Sequence, residues 1–301
     1  MGREFLPGRP PSDKPIATKR LGVILWLALL VACGRAPGDD LLAQMRARGT
    51  LRWGGDVQGG EPFVFQAVAA GGGLTGFEVE IAAALARRLG LRAEFVQNDW
   101  QNLIPSLERG DFDVALNGIE VTAARRARVA FTRPYYAFTE TLVVRGDRTG
   151  VRSLADLHGA RVGTLEGSLA LDLVRAAPGV DVVLYEGVEE PYLDLERGRL
   201  DAVLLDDIIA VRYGLSRPGL RAAGTVGEGV YAASVRPEAP ALVAALDEAL
   251  AAMAAGGELQ RILERWQLWN ERQVGLATAD QPSPAAAARG GLGLADLPLF
   301  L

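Results

Sequence analysis

A chain of 301 residues that is 49% hydrophobic has enough apolar material for a sizeable core, as one large domain or two lobes. Its 32 basic and 37 acidic residues leave a formal net charge of −5, with no long basic run beyond the N-terminus, which excludes a nucleic-acid partner. His158 is the only histidine and Cys33 the only cysteine, so disulfides, multi-ligand zinc sites and most Ser-His or Cys-His chemistry are closed off; neither metal nor cofactor is expected.

Arg3, Arg9, Lys14, Lys19 and Arg20 precede an apolar run over residues 21–32. A run of ~12 residues is too short to span a bilayer but suits the apolar region of a signal peptide, so residues 1–32 are expected to be one. It ends in Leu30-Val31-Ala32-Cys33, which resembles the lipobox of bacterial lipoproteins. That resemblance implies cleavage before Cys33, a diacylglyceryl group on its thiol, and a lipid-anchored protein at the extracytoplasmic face of a membrane. Residues 33–48 are expected to act as the tether, with folding beginning near Leu41.

From Thr50 short apolar strands alternate with amphipathic helices, the pattern of parallel α/β sheets. Thr50-Leu51-Arg52-Trp53 reads as a strand running into Gly54-Gly55-Asp56. Phe63-Val64-Phe65 and Leu74-Thr75-Gly76-Phe77 flank Gly71-Gly72-Gly73, a hairpin signal. Ile81, Ala84, Leu85 and Leu89 predict a helix over 78–89, stopped by Gly90. A strand at 92–96, a helix at 101–108 and a strand at 112–116 follow.

Leu107-Glu108-Arg109-Gly110-Asp111-Phe112-Asp113-Val114-Ala115-Leu116 is echoed by Leu195-Glu196-Arg197-Gly198-Arg199-Leu200-Asp201-Ala202-Val203-Leu204. Each copy reads as a helix end, a glycine cap and a buried strand, so one α/β unit is used twice. Ligands of open α/β sheets sit beyond the carboxyl ends of strands, where Asn117-Gly118-Ile119-Glu120 and Leu205-Asp206-Asp207 emerge. Residues 135–145 and 226–235 are extended, and helices are predicted at 239–255 and 259–267. Two crossings suit a first lobe of 49–138 and 230–270 and a second of 139–229. Residues 271–301, rich in Ala, Gly and Pro without period, are expected to be a disordered tail.

Gly49-Thr50-Leu51-Arg52, Leu74-Thr75-Gly76-Phe77-Glu78-Val79-Glu80, Leu103-Ile104-Pro105-Ser106-Leu107, Phe131-Thr132-Arg133-Pro134-Tyr135-Tyr136 and Val162-Gly163-Thr164-Leu165-Glu166-Gly167-Ser168 occur in that order. Together they resemble the polar amino-acid-binding proteins of ABC importers, the family 3 solute-binding proteins, over residues 49–268. The resemblance implies a two-lobed type II periplasmic-binding-protein-like α/β fold with two hinge crossovers. It further implies closure on a small amino acid, delivery to ABC permease subunits, and no enzymatic activity; the chain is expected to act as a monomer.

Arg125 is the leading site residue. Thr122 is a good N-cap for Ala123-Ala124-Arg125-Arg126, and a cation in a first helical turn opposes the helix dipole unless an anion is present. A guanidinium beside free N–H groups would hold a carboxylate, and the resemblance assigns Arg125 to the ligand α-carboxylate. It likewise assigns Asp206 to the α-ammonium, with Asp207 left to cap the next helix, and Trp100 to the ligand side chain. Asn117 and Gly118 fall where such proteins offer polar and backbone groups, Gly118 leaving room for close approach. Ser168 reads as the N-cap of a helix at 169–175 whose N–H groups face the cleft.

Two departures bear on specificity. Glu120 stands where the family usually has Ser or Thr, and the loop from Asp56 lacks the aromatic often found before Pro62-Phe63. Asp56, Glu120 and Asp206 place three acids near one arginine, which favours a basic or glutamine-like amino acid. The alternative is a dehydratase of the same fold acting on cyclic amino-acid-like acids, with Glu120 as general acid.

Overall fold

The computed structural model describes residue 2 and residues 40–67 and 72–278. The signal-peptide reading, Cys33, Gly71 and the stretch beyond 278 therefore lie outside the described residues.

Folding begins before the expected end of the tether. Helix α1 (Asp40–Arg48) buries Leu41 and Met45, one turn apart on one face, and ends at Gly49 with φ +74°. Residues 40–48 are thus part of the globular unit, a correction to the tether of 33–48.

Strand β1 (Thr50–Gly55) leads through a tight turn to the hairpin β2 (Phe65–Gln66) and β3 (Leu74–Thr75). Helix α2 (Phe77–Arg88) follows, burying Phe77, Ile81, Ala84 and Leu85 in the expected helical stripe. Then come β4 (Arg92–Gln97), a single turn at Trp100–Asn102, α3 (Leu103–Arg109) and β5 (Val114–Ala115). The short helix α4 (Ala123–Arg126) precedes β6 (Ala130–Arg145). The second α/β run comprises β7 (Arg161–Leu165), α5 (Leu169–Ala176), β8 (Asp181–Tyr185), α6 (Glu190–Glu196), β9 (Ala202–Asp206) and α7 (Asp207–Ile209). Strand β10 (Leu220–Val235) returns to α8 (Pro240–Ala255), α9 (Glu258–Arg265) and α10 (Glu271–Thr278).

The echoed segments occupy equivalent places. Gly110 and Gly198 take positive φ at the ends of α3 and α6, and β5 and β9 follow.

One sheet runs in the order β4-β1-β5-β10-β6-β9-β7-β8. Its two ends are parallel: β1 pairs with β4 and β5, and β7 with β8 and β9. Strands β6 and β10, 16 residues each, pair antiparallel from Ala130–Val235 to Arg145–Leu220 and belong to both ends. This gives a two-lobed type II fold with two strand crossovers. Tyr231 on β10 sits at the crossing, stacked on Phe138 at 4.5 Å and Tyr136 at 5.7 Å, with Phe63 at 5.9 Å.

Helix α10 corrects the tail of 271–301. Gln273 is buried, donates from Nε2 to Ala137 O (2.8 Å) and accepts from Ala137 N at Oε1 (2.9 Å). A side-chain amide thus does for β6 what a neighbouring strand would do. Among the described residues no helix is long and apolar enough to cross a membrane.

Candidate ligand-binding site

A cavity opens where the ends of β1, β5, β7 and β9 converge. Asp56, Trp100, Asn117, Gly118, Glu120, Ser168 and Asp206 all line it, together with Asp99, Glu140, Glu166 and Glu186. Arg125 lines the adjoining groove, behind Glu120. Among the described residues lining the cavity there is no Lys, Arg or His.

Asp56 spends its carboxylate on the protein. Oδ1 accepts from Gln58 N (2.9 Å) and Gln97 Nε2 (3.0 Å), and Oδ2 accepts from Trp100 N (3.0 Å). Asn117 completes this corner, its Oδ1 accepting from Asp56 N (2.7 Å) and its backbone oxygen from Trp100 Nε1 (2.9 Å). Asp56 and Asn117 therefore hold Trp100 in place. Gly118 is needed for a reason other than ligand approach. Its φ is +59°, and an added Cβ would lie 2.9 Å from Phe63 Cε1.

Glu78, at the start of α2, is the hidden support of this loop. Oε1 accepts from Gly118 N (2.7 Å) and from the Tyr135 hydroxyl, and Oε2 from Asn117 Nδ2 (3.5 Å). Complete burial pushes its carboxyl up to about 7, against the lowering pull of those hydrogen bonds.

Thr122 caps α4 as expected, its hydroxyl accepting from Arg125 N (3.2 Å). The guanidinium is already engaged: Nη1 donates to Glu120 Oε2 (2.6 Å) and Glu120 O (3.0 Å), and Nη2 to Gly167 O (3.0 Å). Its centre lies 5.1 Å from the centroid of Trp100. The same Glu120 carboxylate accepts from Leu169 N at both oxygens, 3.1 Å each. Burial raises the Glu120 pKa while Arg125 opposes the rise. Ser168 is the N-cap of α5; its Oγ accepts from Leu171 N (3.1 Å) and donates to Leu165 O (2.8 Å). What α5 offers the cleft is therefore the Leu169 N–H rather than a free hydroxyl.

Asp206 ends β9, and the Tyr231 hydroxyl donates to its Oδ2. Glu140, buried in β6, is its direct partner in the antiparallel pairing. Asp206 Oδ1 and both Glu140 carboxylate oxygens are buried with no hydrogen-bond partner among the described residues. Burial raises both pKa values well above the ordinary carboxylate range, and the neighbouring acids add to the rise. Asp207 does not act as a cap: Asp206 stands at the N-cap position of α7. The Asp207 carboxylate instead pairs with Arg272 and accepts from Thr139 Oγ1 (3.4 Å).

Two lobes, crossing strands and an acid-lined cavity at their junction make up a binding-protein architecture. Residues 51–268 match the bacterial extracellular solute-binding proteins, family 3. The chain belongs to that family. The ABC transporter arginine-binding protein 1 of Escherichia coli is 30% identical over 210 residues, covering 67% of this chain and 85% of that protein. The L-cystine-binding protein TcyJ of Escherichia coli is 32% identical over 235 residues, covering 76% of this chain and 86% of that protein. An ancestral arginine-binding protein bound to arginine superposes with TM-score 0.67 at 33% identity, over 73% of this chain and 98% of that one. An ancestral amino-acid-binding protein described as a precursor of cyclohexadienyl dehydratase gives 0.68 at 28%, over 75% and 98%.

Within this solute-binding protein, sequence reasoning missed Glu140, which lines the cavity, and Glu78 and Tyr231, which bond residues that line it. A faint signal existed for Glu140: it is the one charge between Arg133 and Arg145, in a stretch rich in apolar and aromatic residues.

Proposed function

We propose that this protein captures a basic amino acid outside the cytoplasm by hinge closure and presents it to the permease of an ABC importer. The observation that carries this reading is the Glu140–Asp206 pair, with unpartnered oxygens in a cavity whose described lining has no cation. Burial of uncompensated carboxylates is costly, and a ligand with two cationic groups offsets that cost. Asp206 would receive the α-ammonium, Glu140 the distal cation, Trp100 the aliphatic part, and Arg125 with Leu169 N–H the α-carboxylate. A few charge-assisted hydrogen bonds at about 1.5–3 kcal/mol each are enough for micromolar affinity, about −8 kcal/mol, after ordering costs.

Closure joins a lobe of 49–138 and 230–270, extended by α1 and α10, to a lobe of 139–229. Residues 1–32 act as a signal peptide, Cys33 as the lipid anchor, and the protein works as a monomer. No chemical step is assigned. In this structure Arg125 and Leu169 hold both oxygens of Glu120, so a general-acid role would require a substrate carboxylate to displace it from them first. The test is a calorimetric panel of the common amino acids plus ornithine and citrulline. Basic members should bind tightest; tightest binding of aspartate or glutamate, or turnover of prephenate or arogenate, would overturn the proposal.

A further inference from the structure

An incoming carboxylate would look for the Arg125 guanidinium and the first N–H of α5, and Glu120 already has both. Its carboxylate is buried, lies on the cavity wall, and spans the two lobes by bonding Arg125 on one and Leu169 on the other. We propose that Glu120 is a built-in stand-in for the ligand's carboxylate, so that the cavity selects by cationic nitrogen and accepts carboxylate-free diamines and guanidino-amines as well as basic amino acids. This rests on the transport reading above and sharpens its ligand class.

The charges support it. Among the buried acids of the cavity, Asp56 is held by two backbone N–H groups and Gln97, and Glu120 by Arg125. Glu140 and Asp206 are left, two acids facing one space with unpartnered oxygens. A dication answers that pair without disturbing the Glu120–Arg125 bridge. A basic amino acid brings the same two cations plus an anion that must evict Glu120. The exchange replaces one carboxylate–guanidinium contact by another and turns Glu120 loose beside two further acids. Being attached to the chain five residues before Arg125, Glu120 also competes without paying for lost translational freedom.

The test is a comparison of matched pairs by calorimetry: arginine with agmatine, ornithine with putrescine, and lysine with cadaverine. The proteins are the wild type, Glu120→Ser, which empties the seat, and Glu120→Gln, which keeps the volume and removes the charge. In the wild type the amine of the recognised pair should bind at least as tightly as its amino acid. Both variants should shift the ratio toward the amino acid by tenfold or more, and Glu120→Gln carries the test if Glu120→Ser does not fold. An unchanged ratio in the variants overturns the stand-in role and leaves the transport reading intact. Failure of every compound to bind any of the three proteins overturns the transport reading and this inference with it.

Discussion

Glu140 and Asp206 stand directly opposite each other across the pairing of β6 with β9, and three of their four carboxylate oxygens are buried without a partner among the described residues. Opposed residues of an antiparallel pair project to the same face, so both acids are presented together to the cavity they line. Two adjacent buried carboxylates do not both stay ionised in the empty protein, and both pKa values are raised, by burial first and by neighbouring acids next. Binding of a cation favours the ionised forms and expels protons. Affinity for a basic ligand should therefore rise with pH until the empty pair is ionised, then level off. Calorimetry in buffers of different ionisation enthalpy should record proton release on binding; proton uptake would contradict the pairing of these acids with a cation.

Glu140→Gln separates stability from function. Removing one buried carboxylate relieves its desolvation and the repulsion from Asp206, so the ligand-free variant should melt above the wild type near neutral pH. Losing a charge-assisted contact of about 1.5–3 kcal/mol should weaken binding of a dication roughly 10- to 100-fold. A variant that melts lower and binds normally would remove Glu140 from the site.

What could be read from the sequence follows from how local each signal is. Thr122 and Ser168 stand at helix N-caps and Asp206 at a strand end, where a few neighbouring residues dictate the geometry, and the structure places them there; Arg125 keeps its place in the first turn of α4, but its guanidinium is taken by Glu120 and Gly167. Glu140 lies in mid-strand, and which face it shows depends on the register of β6 against β9, which no local pattern encodes. The expected surplus of acids is present but distributed differently. Asp56 is consumed partly by Trp100 N and Glu120 partly by Leu169 N, contacts made between distant segments, while the Glu120–Arg125 pair is local, five residues apart. Helix α10 was hidden because its worth lies in one side chain, Gln273, matched to Ala137 of β6.

Glu78 makes stability pH-dependent. Its folded pKa of about 7 lies above the ordinary 4.5, so the folded state holds this proton more tightly than the unfolded chain. The stability is fully present below pH 4.5 and is lost as pH rises toward about 7, an effect of about 3 kcal/mol from the two values. Denaturant unfolding at pH 4.5 and pH 8 should show Glu78→Gln gaining on the wild type by roughly that amount over the interval. A constant difference between the two proteins would mean that Glu78 is ionised throughout.

Gln273→Ala should unpair the N–H and C=O of Ala137, both in the hinge strand. Two backbone groups at about 1–3 kcal/mol each when left unsatisfied predict a loss of several kcal/mol. The measurement is chemical unfolding of the variant beside Glu271→Ala, whose side chain is exposed and which should be neutral within about 0.5 kcal/mol. Equal stability of the two variants would show that α10 does not hold the strand.

Arg125 and Glu120 form a largely buried pair, Glu120 buried and Arg125 partly so, with side chains 6% and 13% exposed. Removing one partner of such a pair strands the other charge, at a cost of about 3–5 kcal/mol, whereas removing both is far milder. Arg125→Ala leaves Glu120 beside Glu140 and Asp206 with only the Leu169 N–H to hold it, and should be strongly destabilising. The double variant with Glu120→Ala should recover most of that loss, giving a coupling energy well above the ~0.5 kcal/mol expected of independent sites. The double variant also leaves the Leu169 N–H open while lacking the guanidinium, so it should bind a carboxylate-free dication better than the parent amino acid. Additive single effects would mean that Glu120 and Arg125 do not sustain each other, and that the seat between them is open to ligand from the start.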